Sequence, residues 1–310
     1  YFKNMKISPV CLTKSNILLF KYFCLIKYIK KNKINHLYTC GFKVSIYFRM
    51  IKFLFKNLKI TNAVRCNLNK SLLKDRIVIF LEKKLSFLID FYISNSKKAL
   101  STYVKDLKIP KNKIKLIYNG IEFKNKKDLS TLNKRKYIIT VANFSKRKNH
   151  INYLNLINKF SIRTNLKFMF IGDGPEKDKI KKKICELNLK NISIIGYKKN
   201  IFKYLKESKI FVLPSTYGEG CPTSILEALS FSIPVIAFDI DGISELIINQ
   251  KNGFLVKNKN YEKMYNKIKE LSLDKKLYSK ISNQAYLTSK KFSNLAFINL
   301  HNKHFMREIR

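Results

Sequence analysis

A chain of 310 residues is long enough for two domains, each burying its own core. Hydrophobic residues at 46% and aromatics at 13% exclude a disordered chain, and 63 Lys and Arg against 20 Asp and Glu give a formal net charge of +43. Only eight of those cations are arginine, and the excess of Lys, Asn and Ile fits mutational bias in an AT-rich genome as well as it fits selection for a basic surface. No zinc-finger spacing, RNP-like aromatic motif or recognition-helix pattern is present, which excludes nucleic acid as a specific partner.

The six cysteines, Cys11, Cys24, Cys40, Cys66, Cys185 and Cys221, contain no Cys-x-x-Cys pair and read as reduced residues of a cytosolic protein. The apolar run from Asn16 to Ile26 is too short and too lysine-flanked to span a bilayer, and it lacks the small-residue cleavage site of a signal peptide. The expectation is a soluble, cytoplasmic protein that touches the inner face of the membrane peripherally.

In chain order, the pattern predicts a helix over 17–31, a strand at Asn35–Thr39, a helix over 44–56 and a strand at Lys59–Val64. A long helix from Asp75 to Ile89 follows. Then come a strand at Phe91–Ser96, a helix through Leu107 and a strand at Lys113–Ile117. Tyr118-Asn119-Gly120-Ile121 is a turn, and the polar run Lys124–Lys134 reads as a linker. The second half repeats the alternation, with strands near 137–141, 167–171, 192–195, 210–213, 234–237 and 254–256 and helices from 261 onward. Strands separated by helices imply parallel sheets with right-handed crossovers. Domains are expected at 1–122 and 136–290, with a linker at 123–135 and a closing helix in 291–310.

The most informative stretch is Tyr217-Gly218-Glu219-Gly220-Cys221-Pro222-Thr223-Ser224-Ile225-Leu226-Glu227. It follows the apolar strand Ile210-Phe211-Val212-Leu213 and turns helical after Pro222, which removes an amide that has no intrahelical partner. Gly220 lets backbone approach a ligand closely. The amides of Cys221, Thr223 and Ser224 point out of the helix start and, with the helix dipole, form a phosphate site. Glu219 and Glu227 flank that site, as two acceptors for paired hydroxyls would. Taken alone, the two glutamates fit better an ordinary strand, turn and capped helix with two exposed acids.

Further pieces stand around it: Tyr137–Phe144, Lys148-Asn149, Ile171-Gly172-Asp173-Gly174-Pro175, Ile194-Ile195-Gly196-Tyr197, Ile233–Ala237, Asp241–Leu246 and Asn252–Val256. In this order and spacing they resemble the retaining glycosyltransferases of family 4, with their Glu-x7-Glu signature and two-domain GT-B fold. The resemblance implies an α/β chain of two Rossmann-like domains facing a cleft, with the ligand outside the carboxyl ends of the strands. It implies transfer of a sugar from a nucleotide-diphosphate donor to a glycan or lipid-linked acceptor, as in bacterial surface polysaccharide synthesis. No cofactor and no metal are expected.

Residue by residue, the resemblance gives Glu227 to the ribose hydroxyls and Glu219 to the transferred sugar. The segment Cys221-Pro222-Thr223-Ser224 goes to donor phosphate or sugar oxygens, Gly196 and Tyr197 to the base, and Lys148 to the leaving diphosphate. The family's usual arginine is replaced by Asn143, so Arg147 is the candidate second cation. Arg65 stands where the family often has a histidine, on the acceptor or donor side. Asp239-Ile240-Asp241 is read as a loop, His36 as a packed strand residue, and His150 as a helix start.

The resemblance also implies that residues 294–309 cross back to the first domain. Only about 120 residues precede the linker, and no glycine precedes Gly41, so the family's opening strand and glycine loop are missing. Either the chain is a fragment or Met5 starts a shortened product; the alternative function is a nucleotide-sugar-binding protein without transfer activity.

Overall fold

The computed structural model describes residues 18–65, 73–123, 135–161 and 166–309. Cys11, Cys66, Met5 and the polar linker Lys124–Lys134 lie outside the described residues. Two compact units form. The first comprises the described residues within Tyr1–Val64, Lys70–Ile93 and Tyr103–Lys115; the second those within Arg65–Asn69, Ser94–Thr102 and Leu116–Arg310.

Through Leu116 the chain alternates helix α1 (Leu18–Lys31), strand β1 (His36–Cys40), α2 (Phe42–Arg49), β2 (Lys59–Val64), α3 (Leu73–Lys84), β3 (Phe91–Ser94), α4 (Lys97–Lys105) and β4 (Ile114–Leu116), all within the first unit except most of α4 and the ends of β3 and β4. The strands lie in the order β1-β2-β3-β4, and β1 runs parallel to β2 with His36 opposite Lys59. Strand β2 is buried from Ile60 to Val64, as expected of a strand covered on both faces.

Two helices are shorter than their apolar pattern predicts. A tight 3₁₀ turn at Met50–Phe53 replaces the end of the helix expected over 44–56 and buries Ile51. Helix α3 stops at Lys84 because Arg49 takes the Leu85 carbonyl at 3.3 Å while its other nitrogen pairs with buried Glu82 at 2.8 Å. His36 bonds Thr61 Oγ1 at 2.8 Å, the packed role expected of it.

The second unit continues with β5 (Tyr137–Val141), α5 (His150–Ser161), β6 (Lys167–Ile171), α6 (Lys177–Glu186), β7 (Ile192–Gly196), α7 (Phe202–Lys206) and β8 (Ser208–Leu213). Then follow α8 (Thr223–Ser230), β9 (Val235–Phe238), β10 (Gly253–Val256), α9 (Tyr261–Leu273), α10 (Lys275–Ser289) and α11 (Asn294–Ile309). The sheet order is β10-β9-β8-β5-β6-β7, every neighbouring pair parallel. The order reverses between β5 and β8, so the loops leaving these two strands part to opposite sides and open a crevice at their carboxyl ends.

Helix α8 sits beside this crevice because Ile225, Leu226, Ala228 and Leu229 are fully buried in the core. Its C-terminal carbonyls are held by buried Arg135, which donates to Phe231 at 2.7 Å and Ser232 at 3.3 Å, a cation at the negative end of the dipole. Side-chain caps fix the later helices: Asn260 accepts from the Lys263 amide and Asp274 from the Leu277 amide, each at 2.9 Å. Helix α11 is anchored by its start. The Ile121 amide donates to Phe292 and the Asn294 amide donates to Ile121.

Candidate functional site

A cavity of about 500 Å³ occupies the crevice, and every residue lining it belongs to the second unit. Its walls come from the loop after β5, Gly172-Asp173 after β6, Tyr197-Lys198 after β7, and Gly218–Ser224 with Glu227 after β8. Arg65, Asn95 and Asn119 close the remaining side.

The floor is an ion cluster. Glu219 is buried, and its Oε1 accepts from Lys148 Nζ at 2.5 Å with Arg147 Nη1 at 3.4 Å. Arg147 also donates to the Gly218 carbonyl at 2.7 Å. Burial pushes the Lys148 ammonium down, and the Glu219 charge opposes that shift. An ammonium carries three donors, so one bond to Glu219 leaves two for a ligand.

The backbone that presents Lys148 is fixed by Asn149. Its left-handed conformation (φ 60°) ends the short turn Lys146–Lys148, and its side chain bonds the Pro214 carbonyl at 3.1 Å and Tyr261 Oη at 2.8 Å. His150 starts α5 as expected. It is wedged edge-on between Phe144 and Phe170, where burial and then the Lys148 charge lower its pKa to about 3, so the ring is neutral.

Glu227, about one turn into α8, is half-buried, and its carboxylate has no partner among the described residues. Burial alone raises its pKa to about 7. Between the two acids, Pro222 is the N-cap residue of α8 with no side-chain cap bond, and the Thr223 and Ser224 amides at the helix start have no intrahelical acceptor. Cys221 is buried, and desolvation pushes its thiol up to about 12, so it is not a nucleophile.

Gly220 lines the cavity, and its missing side chain also makes room for the protein itself: a Cβ there would meet Asn95 Oδ1 at 2.4 Å and the Arg65 carbonyl at 2.6 Å. Arg65 lines the cavity and donates to Asn119 Oδ1 at 2.7 Å, while Asn119 donates to the Cys221 carbonyl at 2.6 Å. Asn143 is exposed at the rim, and Tyr197 reaches it with a 72% exposed ring; Gly196 lies one residue behind the lining.

Sequence reasoning missed two supports. The loop residue Asp241 accepts from the Gly218 amide at 2.6 Å and the Glu219 amide at 3.2 Å, and the Gly242 amide donates back to the Glu219 carbonyl at 3.1 Å. Asp241 holds a left-handed backbone (φ 44°), which a non-glycine residue adopts only where other contacts compensate. Glu245 accepts from the first amides of α4, Lys97 at 2.7 Å and Lys98 at 3.0 Å, and from Tyr118 Oη at 2.7 Å. The signal for Asp241 was an acid beside Gly242 in a turn; Glu245 carried none, because its partners are more than a hundred residues away.

Residues 122–288 match the family described as Glycosyl transferases group 1, more than half of the chain. The chain belongs to that family. Within it, a Campylobacter jejuni protein named N-acetylgalactosamine-N,N'-diacetylbacillosaminyl-diphospho-undecaprenol 4-alpha-N-acetylgalactosaminyltransferase is 30% identical over 208 residues, 66% of this chain and 56% of that protein. The UDP-Gal:alpha-D-GlcNAc-diphosphoundecaprenol alpha-1,3-galactosyltransferase of Escherichia coli is 31% identical over 191 residues, 56% of this chain and 49% of that protein. This chain therefore spans about half the length of these curated relatives.

Anabaena HepE, solved with UDP and glucose, superposes with a TM-score of 0.83 at 17% identity, over 99% of this chain and 88% of that one. Such a likeness concerns the fold, and the two parallel α/β sheets are those of GT-B glycosyltransferases, as the resemblance implied. Among the described residues no helix is long and apolar enough to cross a membrane.

Proposed function

We propose that this family member transfers a sugar from a nucleoside-diphosphate donor to a glycan or lipid-linked acceptor, with retention at the anomeric carbon. One observation carries the reading: a single cavity joins an unpartnered carboxylate (Glu227), a cation-paired carboxylate (Glu219), two cations and a free helix start. Among the described residues of the second unit, no other constellation offers acceptors for sugar hydroxyls beside donors for a diphosphate.

Glu227 accepts the ribose hydroxyls and Glu219 a hydroxyl of the transferred sugar. The Thr223 and Ser224 amides hold the distal phosphate, with Lys148 and Arg147 on its other side, and Tyr197 stands at the base end. As the bond from anomeric carbon to phosphate oxygen breaks, its electron pair leaves with the diphosphate. The added charge is met by donors already in position. The acceptor hydroxyl attacks from the same face and passes its proton to a departing phosphate oxygen. Lys148, Arg147 and the α8 dipole supply the positive charge, so the proposed chemistry is metal-independent. The names of the two relatives support a lipid-linked acceptor and hence peripheral work at the cytosolic face of a membrane.

Calorimetry of the chain with UDP, GDP and a panel of their sugars tests the donor site. Binding is expected for one base class and is lost in Glu227→Ala. Equal titrations for parent and variant would remove the assignment.

A further inference from the structure

The first unit exposes more large apolar surface than its fold explains. Leu73, Ile77 and Phe80 on α3 are 71%, 54% and 59% exposed, and Phe87 just beyond it is 65% exposed. At 100° per residue Leu73, Ile77 and Phe80 share one side of the helix axis, and Phe87 stands in the 3₁₀ turn Ser86–Leu88 past the helix end. Phe53 and Leu54, 58% and 60% exposed, adjoin them through an edge contact between the Phe53 and Phe87 rings at 6.5 Å. Scattered exposed apolar residues are ordinary, but three on one face of a helix, with three more gathered by its end, mark a contact surface.

The same side of α3 carries exposed Arg76, Lys83 and Lys84, and Lys84 Nζ stands 6.0 Å from the centre of the Phe80 ring. The acids of α3 point elsewhere. Glu82 is fully buried against Arg49 on the opposite side, which locks the rotation of the helix, and Asp75 is half-buried. The face is therefore apolar and cationic, with no carboxylate among its described residues.

We propose that this face of α3, with Phe53 and Leu54, is the surface by which the first unit lies on an anionic lipid bilayer. Charge selects the partner. A second copy would set Arg76, Lys83 and Lys84 against their own images, whereas anionic headgroups neutralise them. The apolar group selects a bilayer over a soluble polyanion, because only a bilayer offers acyl chains beneath the phosphates. Lysine stems lie along the apolar surface while their ammonium groups reach the headgroups. The surface leans on the proposed function only for why an enzyme with a lipid-linked acceptor belongs at a membrane; vesicle binding needs no turnover, so the two readings fail separately.

The test is co-sedimentation of the chain with vesicles of phosphatidylglycerol and phosphatidylcholine in a one-to-two ratio, at low salt. The parent is expected to pellet with these and far less with phosphatidylcholine alone. Phe80→Ser with Phe87→Ser should lower the partition coefficient about tenfold. Lys83→Gln with Lys84→Gln should lower it about thirtyfold. These exposed positions leave the far-ultraviolet dichroism and thermal midpoint at parental values, so loss of binding is not loss of fold. The proposal is overturned if the parent stays in the supernatant, or if the Phe pair pellets like the parent, since lysines elsewhere would then suffice. It is also overturned if sedimentation velocity shows a parental dimer that the Phe pair dissolves.

Discussion

Glu219 and Glu227 are the same residue type eight positions apart, yet the loop before α8 and the body of α8 treat them differently. In the loop, Glu219 is buried but meets Lys148 at 2.5 Å and Arg147 at 3.4 Å, so its charge is compensated. In the helix, Glu227 is less buried and meets no cation, and its pKa rises to about 7. Burial alone does not set the state of an acid; the presence of an opposite charge does. On the proposed function, hydroxyl donors arriving at a partly protonated Glu227 would stabilise the carboxylate and draw it to the ionised form.

The largest break in this contrast is Lys148→Ala, which leaves Glu219 buried with Arg147 as its remaining cation. Removing one partner of a buried pair costs about 3 kcal/mol, to be read from the thermal midpoint. Transfer should fall more than about a hundredfold in kcat, since a donor to the leaving group is lost as well. An unchanged midpoint would mean that Arg147 alone compensates Glu219.

The second prediction concerns pH. If only ionised Glu227 binds ribose, donor affinity rises about tenfold from pH 6 to pH 8 around a pKa of about 7, with a proton released on binding. Calorimetry in buffers of different ionisation enthalpy reads that proton directly. In the ligand-free protein the sign is opposite for stability. A folded pKa above the ordinary glutamate value of 4.5 means that the folded state holds more protons, so stability declines as pH climbs from about 4.5 to about 7. Glu227→Gln should remove that decline, a gain of about 2 kcal/mol above pH 7 after discounting for partial exposure. A donor affinity independent of pH in the parent would end the contrast.

Asp241→Ala sharpens it from the loop side. Losing the two amide contacts frees Gly218 and Glu219 while Glu227 keeps its helix. UDP affinity should stay parental and kcat/KM for the donor sugar fall about tenfold. Asp241→Asn retains an acceptor oxygen and should fall less. Loss of UDP affinity would show that the loop and the helix are one unit. The smallest effect serves as a control: Asp274→Ala removes the α10 cap and should cost about 1 kcal/mol of stability with transfer unchanged.

Much of the architecture was legible because its cause is local. The central second-unit strands, Ser208–Leu213 and Val235–Phe238, are short, largely apolar runs bounded by turn residues, and burial on both faces of a parallel sheet demands that pattern. Helix α8 was legible from Pro222 and the spacing of Ile225, Leu226, Ala228 and Leu229. The early stop of α3 was not, because the Arg49 guanidinium that takes the Leu85 carbonyl comes from 36 residues away.

By itself the sequence determined which residues turn toward the core, where the helix starts lie and which carboxylates flank one of them, since periodicity, proline and glycine act over a few residues. Only the tertiary structure decided that Lys148 and Arg147 neutralise Glu219 and leave Glu227 alone, that Gly220 yields its space to Asn95 and Arg65, and that Asp241 holds the loop. Each of those facts depends on charges and van der Waals surfaces brought together from distant parts of the chain, and no local pattern encodes that distance.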